Sequence, residues 1–156
     1  MPRVSQWLRL AAVALLPACA PPGPSADSAR AEVVAALDRY QVAARAVDPD
    51  AIAGFFTATG TLFEPGIDPI RGRDSIRAFI ASFPGVQVHT ATATPDTVEV
   101  YGGTAYLWGS YYEHLAFPGQ PESEQHGRFV MQWVRQPDAS WLIERYFRVP
   151  LPAPQP

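Results

Sequence analysis

TAYLWGSYYEHLAF at 104–117, EQHGRFVMQWVR at 124–135 and WLIERYFRV at 141–149 decide the fold. All three runs are rich in aromatic and β-branched residues, the types that pack well on a pleated surface. Gly102-Gly103, Pro118-Gly119-Gln120-Pro121 and Gln136-Pro137-Asp138-Ala139 separate them with turn chemistry. The reading is three consecutive antiparallel strands, Thr104–Phe117, Glu124–Arg135 and Trp141–Val149. At about 3.3 Å per residue, a strand of a dozen residues spans roughly 40 Å. A sheet of such strands must twist and curl, and helices can cover its hollow side.

The first hairpin also predicts which side is hollow. With its loop centred on Gln120, facing residues sum to 240: Leu107/Trp133, Gly109/Met131, Tyr111/Phe129 and Glu113/Gly127. That face is almost wholly apolar and suits the covered, concave side. The opposite face carries Tyr106/Val134, Trp108/Gln132, Ser110/Val130, Tyr112/Arg128 and His114/His126. Aromatic but half polar, it fits a convex surface through which two copies pair as a homodimer. Ile143 and Tyr146 fall on opposite sides of the last strand, so alternation alone points only one of them inward.

Helices precede the strands. Val33, Leu37, Tyr40, Ala44 and Val47 step by four, three, four and three, one apolar stripe on a helix from about Asp27 to Val47, capped by Asp27 or Ser28. Asp48 caps a second helix with Pro49 in its first position; it presents Ile52, Phe55 and Phe56 and stops near Gly60. Thr61–Glu64 reads as a short strand ended by Pro65-Gly66. After Gly72 a third helix carries Ile76, Phe79, Ile80 and Phe83, closed by Pro84-Gly85. Val86–Ala93 and Thr97–Tyr101 read as strand, one strand bent at Pro95 being an option. The order α-α-β-α-β-β-β-β is an α+β fold, with helices gathered early against one face of a curled antiparallel sheet.

Asp48-Pro49-Asp50-Ala51, Gly72 leading to Ile76 and Phe79, Gly103-Thr104-Ala105-Tyr106, Gly127-Arg128-Phe129-Val130-Met131-Gln132-Trp133 and Trp141-Leu142-Ile143 occur here in a characteristic order. Through them the chain resembles the NTF2-like superfamily, specifically its SnoaL-like and DUF4440-like members, from about Ala29 to Val149. The resemblance implies a cone-shaped domain with a pocket between helices and sheet, often dimeric through the outer sheet face. It implies no single activity, because isomerases, dehydratases, polyketide cyclases and plain binding modules share the fold. Many SnoaL-like enzymes carry an acidic residue on the last strand shortly after the Trp-x-Ile motif. Tyr146 stands at about that place here. A tyrosine of ordinary pKa near 10 is a poor base at neutral pH, and Glu144 substitutes for it only if an odd bulge shifts the register.

Candidates for acid–base chemistry are Glu113, His89, Glu64, Tyr146 and Tyr40. The predicted ligand-binding set is Tyr40, Phe63, Gly109, Tyr111, Phe129, Met131 and Trp133, with the ligand above Gly109, where a missing side chain leaves room. These aromatics also read as plain core, and Glu113 as a solvated strand-end carboxylate. His114 and His126 face each other, but two histidines without secure further ligands make a poor metal site, so neither metal nor cofactor is expected. The sequence contains no nucleophile elbow, phosphate loop or His-Glu-x-x-His motif.

The N-terminus reads as an address. Arg3 and Arg9 flank a polar start, and Leu10–Leu16 is too short an apolar run for a transmembrane helix of about 20 residues. Leu16-Pro17-Ala18-Cys19 resembles a bacterial lipobox. Ala18-Cys19-Ala20 would suit ordinary signal peptidase, but that cut would leave Pro21 first. Cys19 is the sole cysteine, which excludes an internal disulfide. The expected organisation is a lipoprotein signal peptide at 1–18, a lipidated Cys19 with a Pro-rich tether to 27, one domain at 28–149, and a disordered tail at 150–156. Permanent acylation would fix the protein to a bacterial membrane in the cell envelope. With net charge −3 and no Lys/Arg run, nucleic acid is not an expected partner.

Three functions follow. A lipid-anchored module holding a small apolar or aromatic molecule leads; a SnoaL-like isomerase, dehydratase or cyclase is second, weakened by Tyr146. An interaction domain whose pocket is filled by its own side chains is third.

Overall fold

The computed structural model describes residues 25–152. Helix α1 (Ala26–Ala46) is capped by Ser25, whose side chain accepts from Ser28 N, earlier in the chain than the Asp27 or Ser28 cap expected. Val47 ends it in the left-handed region at φ 49°, uncommon for a β-branched residue. Asp48 then caps helix α2 (Pro49–Gly54), accepting from the amides of Asp50 and Ala51 at 3.0 Å each.

Helix α2 ends six residues before Gly60. Phe56, expected on that helix, instead opens strand β1 (Phe56–Phe63). The segment Thr57-Ala58-Thr59-Gly60-Thr61 is poor in helix formers, and the neighbouring last strand takes up its backbone: Ile143 N donates to Phe55 O at 2.7 Å. Strand β2 (Ile70–Arg71), not foreseen, pairs with β1, and helix α3 (Arg73–Ala81) follows Gly72. Strand β3 (Gln87–Tyr101) is continuous but bulged at Pro95. Strands β4 (Thr104–Ala116), β5 (Ser123–Arg135) and β6 (Trp141–Pro150) complete the chain. Pro150, expected to open the tail, is the last residue of β6, and Leu151 N donates to His126 O at 2.9 Å.

These strands form one six-stranded sheet in the order β2-β1-β6-β5-β4-β3. All pairs are antiparallel except β1 with β6, which run parallel, so the sheet is mixed. The hairpin register differs by two residues from the one expected: Leu107 faces Met131, Gly109 faces Phe129 and Tyr111 faces Gly127. The turn is centred nearer Gly119 than Gln120, with Gln120 N donating to Phe117 O. An even shift keeps every side chain on its face, so the hollow side is the one anticipated.

α1 lies across that side. Val33, Ala36 and Leu37 share one buried cluster with Leu107, Phe129, Met131, Trp133 and Ile143. Among the described residues no helix covers the outer face, where Tyr112, Val130 and Phe147 are all more than a third exposed. No helix among the described residues is long and apolar enough to cross a membrane.

Candidate functional site

β6 decides what faces the open end of the cone. Trp133 pairs with Ile143 but Gln132 with Arg145, so Glu144 is an extra residue, a bulge that reverses the alternation. Ile143 and Tyr146 are therefore both buried, and Arg148 follows Tyr146 inward. Glu144 turns away to accept from Thr57 Oγ1 at 2.7 Å; the bulge that was needed exists, yet it spends Glu144 on β1.

Between the C-terminal half of α1, α3 and the sheet lies a cavity of about 280 Å³. Its mouth is apolar, formed by Phe79, Ile80 and Phe83 with Val88, Leu115 and Phe117. The deeper end is polar. There Arg148 reaches Glu113 at 2.5 Å and Glu64 at 3.2 Å, and its guanidinium carbon lies 4.5 Å from the centre of the Tyr111 ring. These three charged side chains are only 15, 18 and 21% exposed for Arg148, Glu64 and Glu113. The rings of Tyr40 and Tyr146 meet edge to face with centres 6.0 Å apart, and both line the cavity. Both tyrosines therefore offer hydroxyl donors to a guest, and beside them Arg148 Nε is buried without a hydrogen-bond partner among the described residues.

Burial sets the protonation states. It raises the Glu64 carboxyl above the usual glutamate range; Arg148 opposes that rise in part and Glu113 adds to it. Burial likewise pushes Tyr40 and Tyr146 well above an ordinary tyrosine, so both stay protonated donors at neutral pH. For Arg148 burial pulls downward, but the carboxylates of Glu113 and Glu64 outweigh it and the guanidinium stays charged. One cation against two carboxylates leaves the floor short of positive charge.

Of the residues expected at a site, Tyr40, Tyr111, Tyr146, Glu64 and Glu113 line the cavity. Phe129, Met131 and Trp133 do not; they are at most 1% exposed, sealed beneath α1. Phe63 stacks on Phe147 with ring centres 4.0 Å apart, away from the cavity. Gly109 offers no gap, because a β-carbon there would sit 2.0 Å from Thr94 O. The space above the sheet opens beyond Tyr111, not at Gly109. His89 lies outside the cavity beside His114, while His126 pairs with Tyr112 rather than with His114. Cys19 lies outside the described residues. Arg148 was missed entirely, since strict alternation from Trp141 and Ile143 sends it outward.

A family model described as the SnoaL-like domain matches residues 27–146. The chain belongs to the SnoaL-like domain family. Solved structures agree on the NTF2-like fold. A ketosteroid isomerase-like protein from Erwinia carotovora atroseptica SCRI1043 superposes with TM-score 0.71 at 18% identity, covering 79% of this chain and 96% of that one. An NTF2-like superfamily protein from Salmonella enterica serovar Typhimurium LT2 gives 0.70 at 18%, covering 81% and 93%. ActVI-ORFA from Streptomyces coelicolor gives 0.66 at 15%, covering 77% and 95%. None of the curated proteins matches the chain.

Proposed function

We propose that this SnoaL-like domain binds a small, neutral, mainly apolar molecule with a hydrogen-bonding end, while held at a bacterial membrane by a lipid on Cys19. The observation that carries the reading is the cavity itself: open, aromatic and aliphatic at the mouth, with Tyr40 and Tyr146 lining its floor. Concave, mostly apolar sites with a few convergent polar groups are the usual form of small-molecule sites. Its volume of about 280 Å³ is at the lower end for such sites, roughly 300–1,000 Å³, so the guest is compact. Two carboxylates sharing one arginine repel an anion, which favours a neutral molecule over a carboxylate or phosphate.

Ala44 lines the cavity from α1, so Ala44→Phe fills space rather than displacing core. Native mass spectra of protein taken from its own membrane should show a bound small molecule in the parent and none in this variant. Equal occupancy in both proteins, or none in either, would remove the reading. The anchor is tested separately. Cys19 follows the lipobox-like Leu16-Pro17-Ala18, and Cys19→Ala should move the protein from the membrane fraction to the soluble fraction. An acylated, membrane-bound Cys19→Ala protein would end the anchor proposal.

One observation favours a second reading, acid–base catalysis on a carbonyl compound. Glu64 combines a raised pKa with a place next to two tyrosine donors, the pairing of base and hydrogen-bond donor that proton transfer beside a carbonyl requires. In that case Glu64→Gln keeps the guest and loses its conversion.

A further inference from the structure

We infer that His89, His114 and Glu122 form a binding site for a first-row divalent transition-metal ion of the Zn2+ type, on the outer wall behind the cavity mouth. The site is assembled by a second bulge. Val88 pairs with Leu115 and Thr90 with His114, so His89 is the extra residue of β3. Bulges re-aim side chains, and this one sets the His89 ring beside that of His114, centres 4.8 Å apart. The turn after β4 then returns Glu122 to both. One carboxylate oxygen is 2.8 Å from His114 Nε2 and the other 3.6 Å from His89 Nε2. All three ligand atoms lie within 4.8 Å of one another.

An ion bound at about 2.0–2.2 Å by each donor holds its ligand atoms roughly 3–3.5 Å apart. Two of the separations already approach that, and His89 and Glu122 are exposed enough to close the remainder by side-chain rotation. Two imidazoles and a carboxylate select Zn2+, Co2+, Ni2+ or Fe2+ over Mg2+ or Ca2+, which take all-oxygen shells. Glu124, opposite His114 in the β4–β5 register, adds favourable negative charge. Three protein ligands leave a position for water. The next residues inward, Val88 and Leu115, line the cavity, so the ion would tie β3, β4 and the following turn together at the rim.

The test is calorimetric titration of the purified, chelator-treated protein with Zn2+ alone, with melting followed in parallel. The expected result is one ion per chain and a raised melting midpoint, with Mg2+ in excess giving neither. His89→Ala and His114→Ala should each abolish uptake, and Glu122→Gln should weaken it. Unchanged far-ultraviolet circular dichroism of the metal-free variants would show that they fold. Absence of saturable uptake would overturn the assignment. So would uptake that survives both histidine substitutions, since the ion would then sit elsewhere.

Discussion

Arg148→Met should lower stability by about 3–5 kcal/mol at neutral pH, the typical result of removing one partner from a buried ion pair. The parent holds Glu113 and Glu64 on either side of one guanidinium, all three largely shielded from water. Methionine keeps most of the packing volume but leaves two carboxylates with no cation and little access to water. The deficit should depend on pH with a definite sign. Burial already raises Glu64 in the parent, with Arg148 as the main opposing influence. A carboxyl whose pKa is higher folded than unfolded costs stability as pH rises from the ordinary value of about 4.3 to the folded one. Without Arg148 that window widens upward, so the variant should recover part of its loss as pH falls toward about 5. Combining Arg148→Met with Glu64→Gln and Glu113→Gln should restore most of the stability, because a neutral trio carries no uncompensated charge. Denaturant unfolding across this pH range measures all of it. A single-variant loss below about 1 kcal/mol would place these groups among solvated surface pairs.

How much of this was legible beforehand follows from what each kind of structure depends on. The long strands and the hollow face were readable because alternation is local, and an even slip of the hairpin cannot reverse it. The Asp48-Pro49 cap was readable for the same reason: the cap binds amides two and three residues along the chain. The start of β1 was not, because Phe55 and Phe56 suit a helix or a strand and the parallel partner that decides lies some 87 residues away, as Thr57 and Glu144 show. The floor of the site was half readable. Tyr40, Tyr111, Tyr146, Glu64 and Glu113 were named as candidates, but Arg148 and the histidine pair depend on bulges at Glu144 and His89. A bulge adds one residue without any composition of its own in this chain. Its consequence, reversed parity for everything beyond it, is large.

Gly109→Leu separates close packing from free space most sharply. Reading the glycine as a gap above the sheet predicts a variant that folds well and loses its guest. The geometry predicts the opposite. A β-carbon at Gly109 meets Thr94 O at 2.0 Å and Pro95 Cα at 2.8 Å. Both obstacles are backbone, so no side-chain rotation relieves the clash, and β3 would have to lift from β4 where Pro95 faces Gly109 and the register shifts. Overpacking typically costs about 1–3 kcal/mol, and rigid surroundings place this substitution at or beyond the upper end, about 3 kcal/mol or more. Even Gly109→Ala should be destabilising, since the first carbon already collides. Whatever fraction folds should take up its guest normally, because Gly109 does not line the cavity and Ala44 does. Unfolding midpoints of the Gly109→Ala and Gly109→Leu proteins, with guest occupancy per folded molecule from native mass spectra, decide between the two. A Gly109→Leu protein as stable as the parent would mean that β3 does not press on β4 at the Pro95 bulge. An empty cone in a stable variant would return the ligand to the space above Gly109.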